Sequence, residues 1–380
     1  MALPPPAARV GLVDGAVYSK LAQELAAYQG ETWPFHVGDT WRGPPAGCEP
    51  QALSGVEGTN RYTAVPGWGP LIEAIQGRVA ARTGHPVPTA GVYVAAGATA
   101  GLHALVLSMV DPGRTVLILS PAWPLLANMV RLAGGEAVHV PILDCADDAD
   151  ALIARLEAAH RPSDVAVYLN SPNNPSGRNL SHAALRAIAA WAQRRDLYIL
   201  ADEVYEDYVY AGEHLLMRSL APEHTIAVHS FSKGYGMAGY RVGYMVGPPE
   251  VIGPATRLST YTYYCAPFPG QVAALRALGP AGEAWVAESR ASYEEVGRAA
   301  AARLGVPAPQ GGTFLFVDVS AELDDQGIHG LLGRCVRRGL LLAPGPSFGP
   351  WPSHLRLCFT AVDPARTLRG VEMLAEVLGR

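Results

Sequence analysis

The chain is 380 residues long, which at the usual ~100–200 residues per domain makes two or three compact units. Hydrophobic residues are 49% and charged residues only 17%, a balance that excludes intrinsic disorder. The net charge of −5, with no basic block, argues against nucleic acid as a partner.

Residues 1–45 are Pro-rich, with one short helical pattern (Leu21, Leu25, Tyr28) after Ser19. The N-terminal segment lacks the apolar stretch of a secretory signal. From about Val92 strands and helices alternate. Val92–Ala96 reads as strand and Thr99–Met109 as helix. Val116–Leu119 reads as strand, a helical stretch runs to Leu132, and Val138–Pro141 is strand again. Val165–Leu169 reads as a buried strand, and Ser181 as the N-cap of a helix reaching about Arg195. Tyr198–Ala201, Ile226–Ser230 and Val242–Val246 are further strand-like runs. Such alternation predicts an α/β fold, a mostly parallel sheet covered on both faces. The uncharged stretch Val92–Val110 raises the question of a membrane span, but Gly97, Gly101 and His103 interrupt it, and strand followed by helix is the better reading.

The texture changes after about residue 275. Glu283–Leu304 reads as one long helix with Val286, Tyr293, Val296 and Leu304 on its buried side and an i,i+4 pair between Glu294 and Arg298. Phe314–Val319, a helix through Leu331–Arg338, Leu340–Ala343, His354–Phe359 and a last helix from about Asp363 suggest a smaller α+β unit.

Two motif matches fail on context. Gly234-Tyr-Gly236-Met-Ala-Gly239 has the dinucleotide spacing, but a strand-like segment follows where a helix is required. Ser230-Phe-Ser-Lys233 matches the S-x-x-K of penicillin-recognising enzymes, yet the K-T-G element has no counterpart. The five cysteines (Cys48, Cys145, Cys265, Cys335, Cys358) are odd in number and far apart, and the histidines show no H-x-x-x-H pair. No metal site or disulfide framework is expected, and a cytoplasmic location fits.

Of 29 basic residues, Lys20 and Lys233 are the only lysines. Lys20 reads as a solvated surface residue. Lys233 lies past the strand ending at Ser230, where desolvation makes a lysine a Schiff-base nucleophile. Other strand ends supply complementary parts, at the edge of an open α/β sheet where ligands bind. Gly97-Ala98-Thr99-Ala100-Gly101 opens a helix; its small residues serve either phosphate binding or helix–sheet packing. Trp123, between two prolines, is either core or a stacking face for a flat ligand. Asn170-Ser-Pro-Asn-Asn174-Pro-Ser-Gly177 is a rigid loop. Asp202 should be partly buried and needs either an arginine or a cationic ligand atom. Tyr205 could donate to an oxygen of the same ligand. Arg241, with the hydroxyls of Ser230 and Ser232, could grip a phosphate. Together these are the requirements of pyridoxal phosphate.

The runs Asn-x-Pro-Asn-Asn-Pro-x-Gly, Asp-Glu-x-Tyr, and Ser-x-Ser-Lys with Arg241 eight residues on resemble those of the fold-type I, class I/II pyridoxal-phosphate-dependent aminotransferases, in the same order. The resemblance covers nearly the whole chain. It implies that Lys233 carries the cofactor and shuttles the proton, that Asp202 pairs with the pyridinium nitrogen, and that Asn174 and Tyr205 donate to the ring oxygen. Trp123 would stack on the ring. Ser230, Ser232, Arg241 and the Ala98 and Thr99 amides would hold the phosphate. Tyr62 would reach a neighbouring subunit's phosphate. Gly38 and Arg356, with Asn174, would bind the substrate carboxylate. The fold implied is a large doubly wound domain with a seven-stranded-type sheet (45–280) and a small domain from both chain ends (1–44 and 281–380), forming a homodimer with shared sites.

Two features fall outside the pattern. Gly38-Asp-Thr-Trp41-Arg replaces the usual Gly-Glu-Pro, and no second arginine for a distal carboxylate stands out among Arg42, Arg61 and Arg257. Tyr261, Tyr263 and Tyr264 read better as interface packing than as pocket lining. The expected activity is transamination between an L-amino acid and a 2-oxo acid. The alternatives are a lyase, decarboxylase or cyclase using the same cofactor site, and a cofactor-sensing regulator module.

Overall fold

The computed structural model describes residues 3, 5, 7–13 and 22–380. Ser19, Lys20 and Leu21, and with them the start of the expected N-terminal helix, lie outside the described residues. Ala22–Ala27 is helical.

Seven strands form the main sheet: β1 (Val92–Ala95), β2 (Thr115–Ser120), β3 (Glu136–Pro141), β4 (Asp164–Asn170), β5 (Tyr198–Asp202), β6 (Thr225–Ser230) and β7 (Gly243–Val246). Their order is β1-β7-β6-β5-β4-β2-β3. β7 runs antiparallel to both β1 and β6, and the other pairs are parallel. The carboxyl ends of β1, β2, β4, β5 and β6 therefore share one edge with the start of β7. Side chains alternate across the sheet. Val116, Ile118 and Tyr168 pack with Leu105, Leu126 and Ile252 on one face. Leu117, Leu119 and Val167 pack with Leu156, Leu185 and Trp191 on the other. This two-sided burial is why the parallel strands read as near-continuous apolar runs.

Ser181 caps the helix His182–Arg194 as its position suggested, its Oγ accepting from the Ala184 amide at 3.1 Å, a contact typically contributing about 1 kcal/mol. Sequence reading missed the helices Gly69–Thr83, Ala149–Ala159, Pro249–Ser259 and Phe268–Ala277. Polar residues around the stripe of Gly69–Thr83 and the internal Pro254 of Pro249–Ser259 mask the helical pattern in the sequence.

The second sheet is antiparallel, in the order β8-β10-β9: β8 (Phe314–Asp318), β9 (Ala343–Pro344) and β10 (His354–Cys358). The expected strand Leu340–Ala343 reduces to Ala343–Pro344. Leu340 instead bridges to Trp33, so the N-terminal segment takes the backbone partner that a longer strand would have used. Helix Pro280–Leu304 spans 25 residues. Its Tyr293, Val296 and Leu304 are buried as expected, whereas Trp285 takes the core position beside a half-buried Val286. Arg298 and Glu294 pair at 2.8 Å. Trp33 and Phe35 join this core with Leu331, Leu355, Leu357 and Val371. Val92–Val110 divides into strand and helix, and among the described residues no helix is long and apolar enough to cross a membrane.

Candidate active site

A cavity of about 380 Å³ opens at the shared strand edge. The sheet register explains its composition. β4 and β5 place Asn170 beside Asp202, and β6 and β7 place Ser230 beside Gly243. Residues distant in sequence thus line one space: Gly38, Ala98, Thr99, Trp123, Asn174, Asp202, Tyr205, Ser230, Ser232, Lys233, Arg241 and Arg356. Of the residues expected to serve the site, Tyr62 alone is elsewhere. It is 82% exposed, its ring 5.0 Å from that of Tyr264.

At one end, the helix Ala98–Met109 begins against Arg241. Gly97 has φ +83°, and a Cβ there would lie 2.5 Å from Arg241 Nη2, so glycine lets the guanidinium approach the helix N-terminus. Gly101 answers to the other reading of this segment. A Cβ there would collide with Met245, so it serves helix–sheet packing. Ser230 Oγ accepts from the Ser232 amide at 3.1 Å and shapes the turn carrying Lys233. A helix start with an arginine and hydroxyls suits a phosphate.

In the middle lies Asp202, only 5% exposed and more deeply buried than expected. No arginine pairs with it. Tyr168 Oη donates to its Oδ2 at 2.6 Å and the Val204 amide approaches Oδ1 at 3.4 Å. Burial pushes the Asp202 carboxyl up to about 6, against the pull of the Tyr168 hydrogen bond. A buried carboxylate without a charged partner is costly unless a ligand brings a cation. Tyr168 went unnoticed in the sequence. The available signal was its place two residues before Asn170 in a strand, which puts both on one face.

Lys233 Nζ donates to the Gly38 carbonyl. Burial lowers the Lys233 pKa, and Arg356 and Arg241 push the same way while Asp39 and Cys358 oppose. The amine is thereby brought toward its neutral, nucleophilic form. Tyr205 is buried with its pKa raised by desolvation, so its hydroxyl stays protonated and able to donate. Its ring packs edge-on against Phe314 at 5.7 Å. Trp123 walls the cavity half-buried.

At the far end Arg356 alternates with the core residues Leu355 and Leu357 on β10, and its guanidinium lies 4.5 Å from the Phe314 ring centre and 5.0 Å from that of Phe348. Its Nη1 donates to Asn174 Oδ1 at 3.0 Å and its Nη2 to the His36 carbonyl. Asn174 is itself fixed by Asn170, whose Oδ1 accepts from the Asn174 amide at 2.6 Å. His36, Ser347 and Phe348 also line this end. No periodic signal pointed to them, because the one-turn helix Gly345–Phe348 and the loop carrying His36 are too short or too irregular to show one. Arg42, Arg61, Arg257 and Tyr261, Tyr263 and Tyr264 do not line the cavity. Arg42 instead pairs with Glu288 at 3.0 Å.

The family model for aminotransferase class I and II matches residues 50–374. The aspartate/prephenate aminotransferase of Thermus thermophilus is 32% identical over 334 residues, 85% of each chain. The arginine–pyruvate transaminase of Pseudomonas aeruginosa is 30% identical over 377 residues, 90% of this chain and 93% of the relative. Among solved structures, Thermus thermophilus aspartate aminotransferase superposes with a TM-score of 0.89 at 28% identity, covering 99% of this chain and 100% of that one. N-succinyldiaminopimelate aminotransferase from Mycobacterium tuberculosis gives 0.87 at 27%, covering 98% and 100%. The chain belongs to the class I and II aminotransferases, enzymes that use pyridoxal phosphate, and has their fold-type I architecture.

Proposed function

We propose that this cavity binds pyridoxal 5′-phosphate on Lys233 and moves an amino group between an L-amino acid and a 2-oxo acid. The observation that carries the reading is the donor set within one cavity: a desolvated amine, a buried carboxylate that no described lysine or arginine pairs with, and an arginine at a helix start. When bound, the cofactor supplies an electron-accepting ring that labilises bonds at the substrate Cα. Arg241, Ser230, Ser232 and the Ala98 and Thr99 amides would hold the phosphate. Asp202, oriented by Tyr168, would pair with a protonated ring nitrogen. Asn174 and Tyr205 would donate to the ring oxygen, and Trp123 would cover one face of the ring and exclude water. Lys233 Nζ would hold the cofactor, and its amine is the group placed to move the substrate proton. Arg356 clamps the α-carboxylate through its two parallel N–H groups, with the Gly38 and Asn174 polar groups beside it.

The remaining parts of the reading have their own supports. Division into 45–280 and a unit of both termini (1–44 with 281–380) is favoured by the core that joins Trp33 and Phe35 to residues beyond 285. A homodimer is favoured by the exposed aromatic patch of Tyr62, Tyr261 and Tyr264, with Tyr62 reaching the partner's phosphate. A cytoplasmic location is favoured by five unpaired cysteines.

The test is a visible spectrum of the purified protein with pyridoxal phosphate, before and after adding amino acids. A band that an amino acid abolishes and a 2-oxo acid restores, and that Lys233→Ala cannot form, is the expected result. Release of ammonia or carbon dioxide without that exchange would favour the lyase or decarboxylase alternative. Absence of any band in the wild type would refute the cofactor assignment.

A further inference from the structure

We propose that His229 is a positioning residue for the cofactor site: a buried imidazole that supports the charged form of Asp202 from the other face of the main sheet. This deepens the reading above, since it takes Asp202 as the partner of a cationic ring nitrogen.

Asp202 ends β5, and its cross-strand neighbour on β6 is Val228. The next residue along each segment, Glu203 and His229, turns to the opposite face. The Glu203 amide donates to the Val228 carbonyl at 2.9 Å, which fixes this step between the two segments. Both side chains are buried. His229 pairs across the sheet with Tyr244 on β7, and their rings stack with centroids 4.6 Å apart and planes 20° from parallel. The stacking sets the plane of the imidazole and so the direction of both its nitrogens.

Each nitrogen faces a carboxylate. Nδ1 lies 3.2 Å from Glu206 Oε1, and Nε2 lies 3.9 Å from Glu203 Oε2. Only a protonated imidazole offers an N–H on both sides. The carboxylates are engaged in turn from other elements. Arg78 and Arg82, on helix Gly69–Thr83, hold Glu206, and Arg78 also holds Asp207 at 2.9 Å. The Met217 amide donates to Glu203 Oε1 at 2.8 Å, with His214 Nε2 at 3.6 Å from the same oxygen. Tyr235 and Arg218 also face this buried cluster.

The charge of the cluster reaches the cofactor site through Asp202. Burial pushes the Asp202 carboxyl up, the positive charge of His229 pulls it down, and Glu203 opposes that pull. His229 also precedes Ser230, whose hydroxyl shapes the turn carrying Lys233. A histidine that served only packing would therefore disturb the site through the backbone, whether or not Asp202 is charged. That difference separates the two roles.

The test uses wild type, His229→Gln, Asp202→Asn and the double variant at pH 5, 6, 7 and 8. Equilibrium dialysis reads the affinity for pyridoxal phosphate, and urea unfolding reads the stability of the cofactor-free protein. The ionised Asp202 pairs with a cation, so affinity should fall in acid as this carboxylate takes up a proton, with a midpoint near pH 6 in the wild type. In His229→Gln the midpoint should move up by about one unit, the lower end of what a neighbouring opposite charge supplies. Asp202 holds its proton more tightly in the folded than in the unfolded chain, so stability falls as pH rises to about 6. In His229→Gln that fall should continue about one unit higher. With Asp202→Asn in place, His229→Gln should cause neither shift, and this background subtracts the titration of His229 itself. A midpoint unmoved in His229→Gln, with stability lowered evenly across the series, overturns the proposal and leaves His229 a packing residue. Equal shifts with and without Asp202 overturn it as well, pointing to the Ser230 turn. Should His229→Gln fail to fold, His229→Asn, a shorter neutral amide, takes its place. Wild-type protein that binds no pyridoxal phosphate would sink the cofactor reading, while the unfolding series would still decide whether His229 acts on Asp202.

Discussion

Replacing Tyr168 by phenylalanine removes the hydroxyl that donates to Asp202 Oδ2 at 2.6 Å. Both side chains are buried, so water does not replace the lost donor. A hydrogen bond to a charged group contributes about 1.5–3 kcal/mol. One pKa unit corresponds to about 1.4 kcal/mol, so Asp202 should move one to two units, from about 6 to roughly 7–8. The Asp202 pKa is raised above its ordinary 3.8, so the folded protein holds this proton more tightly than the unfolded chain. Stability is then complete below pH 3.8 and falls as pH rises to about 6, by about 3 kcal/mol. In Tyr168→Phe the fall continues to pH ~7–8, adding about 1.5–3 kcal/mol. Urea unfolding of cofactor-free wild type and variant at pH 5, 6, 7 and 8 checks this. The stability difference should be small and flat at the acidic points and should open above pH 6. A difference that stays constant across the series would refute the claim that Tyr168 acts on the Asp202 carboxylate, leaving it only a packing role. Pyridoxal phosphate should narrow the gap at pH 8 by bringing a cation to the ionised carboxylate.

Other substitutions probe the remaining parts of the site. Arg356→Lys keeps the charge but loses the two-pronged geometry, so KM for the amino acid should rise roughly tenfold or more (about 1.4 kcal/mol) with a smaller change in kcat. Gly97→Ala forces a side chain into a φ of +83° and against Arg241 Nη2. It should weaken cofactor affinity about tenfold or more in equilibrium dialysis, and retention of wild-type affinity would count against the phosphate assignment. Glu206 is a buried carboxylate paired with Arg82 at 2.8 Å and Arg78 at 3.3 Å, and its pKa is held well below the ordinary value despite burial, chiefly by His229, Arg82 and Arg78. Its contribution is present above pH ~4.5 and is lost as pH falls below that range. Glu206→Gln should therefore cost about 3–5 kcal/mol near neutrality, and less in acid, when followed by thermal unfolding.

The site was largely readable because its chemistry is concentrated at strand ends. Lys233 stood out because lysine is so rare here, and Asp202 because a carboxylate ending an apolar strand demands a partner. The alternatives left open at that stage were decided by packing. Asp202 has a tyrosine and not an arginine beside it. Gly97 and Gly101, four residues apart, turned out to serve different purposes. Helix Gly69–Thr83 escaped notice because its polar residues mask its buried stripe of Leu71, Ile72, Ile75 and Val79. Phe348, Ser347 and His36 escaped because a four-residue 3₁₀ helix and an irregular loop carry no periodicity from which to read the direction of a side chain.

By itself the sequence determined the alternating α/β pattern, the order of the strands along the chain, and the residues able to supply an amine, a carboxylate and an anion grip. These are local properties, set by apolar periodicity, by turn residues and by the functional groups available. Only the tertiary structure decided which of them meet. The antiparallel insertion of β7 between β1 and β6 brings Arg241 to the helix start after β1, and the docking of β10 carries Arg356 across to Asn174. The reason is that pKa, desolvation and side-chain preference depend on neighbours distant in the chain. Tyr168 beside Asp202 and Phe348 beside Arg356 become neighbours only once the sheets are assembled.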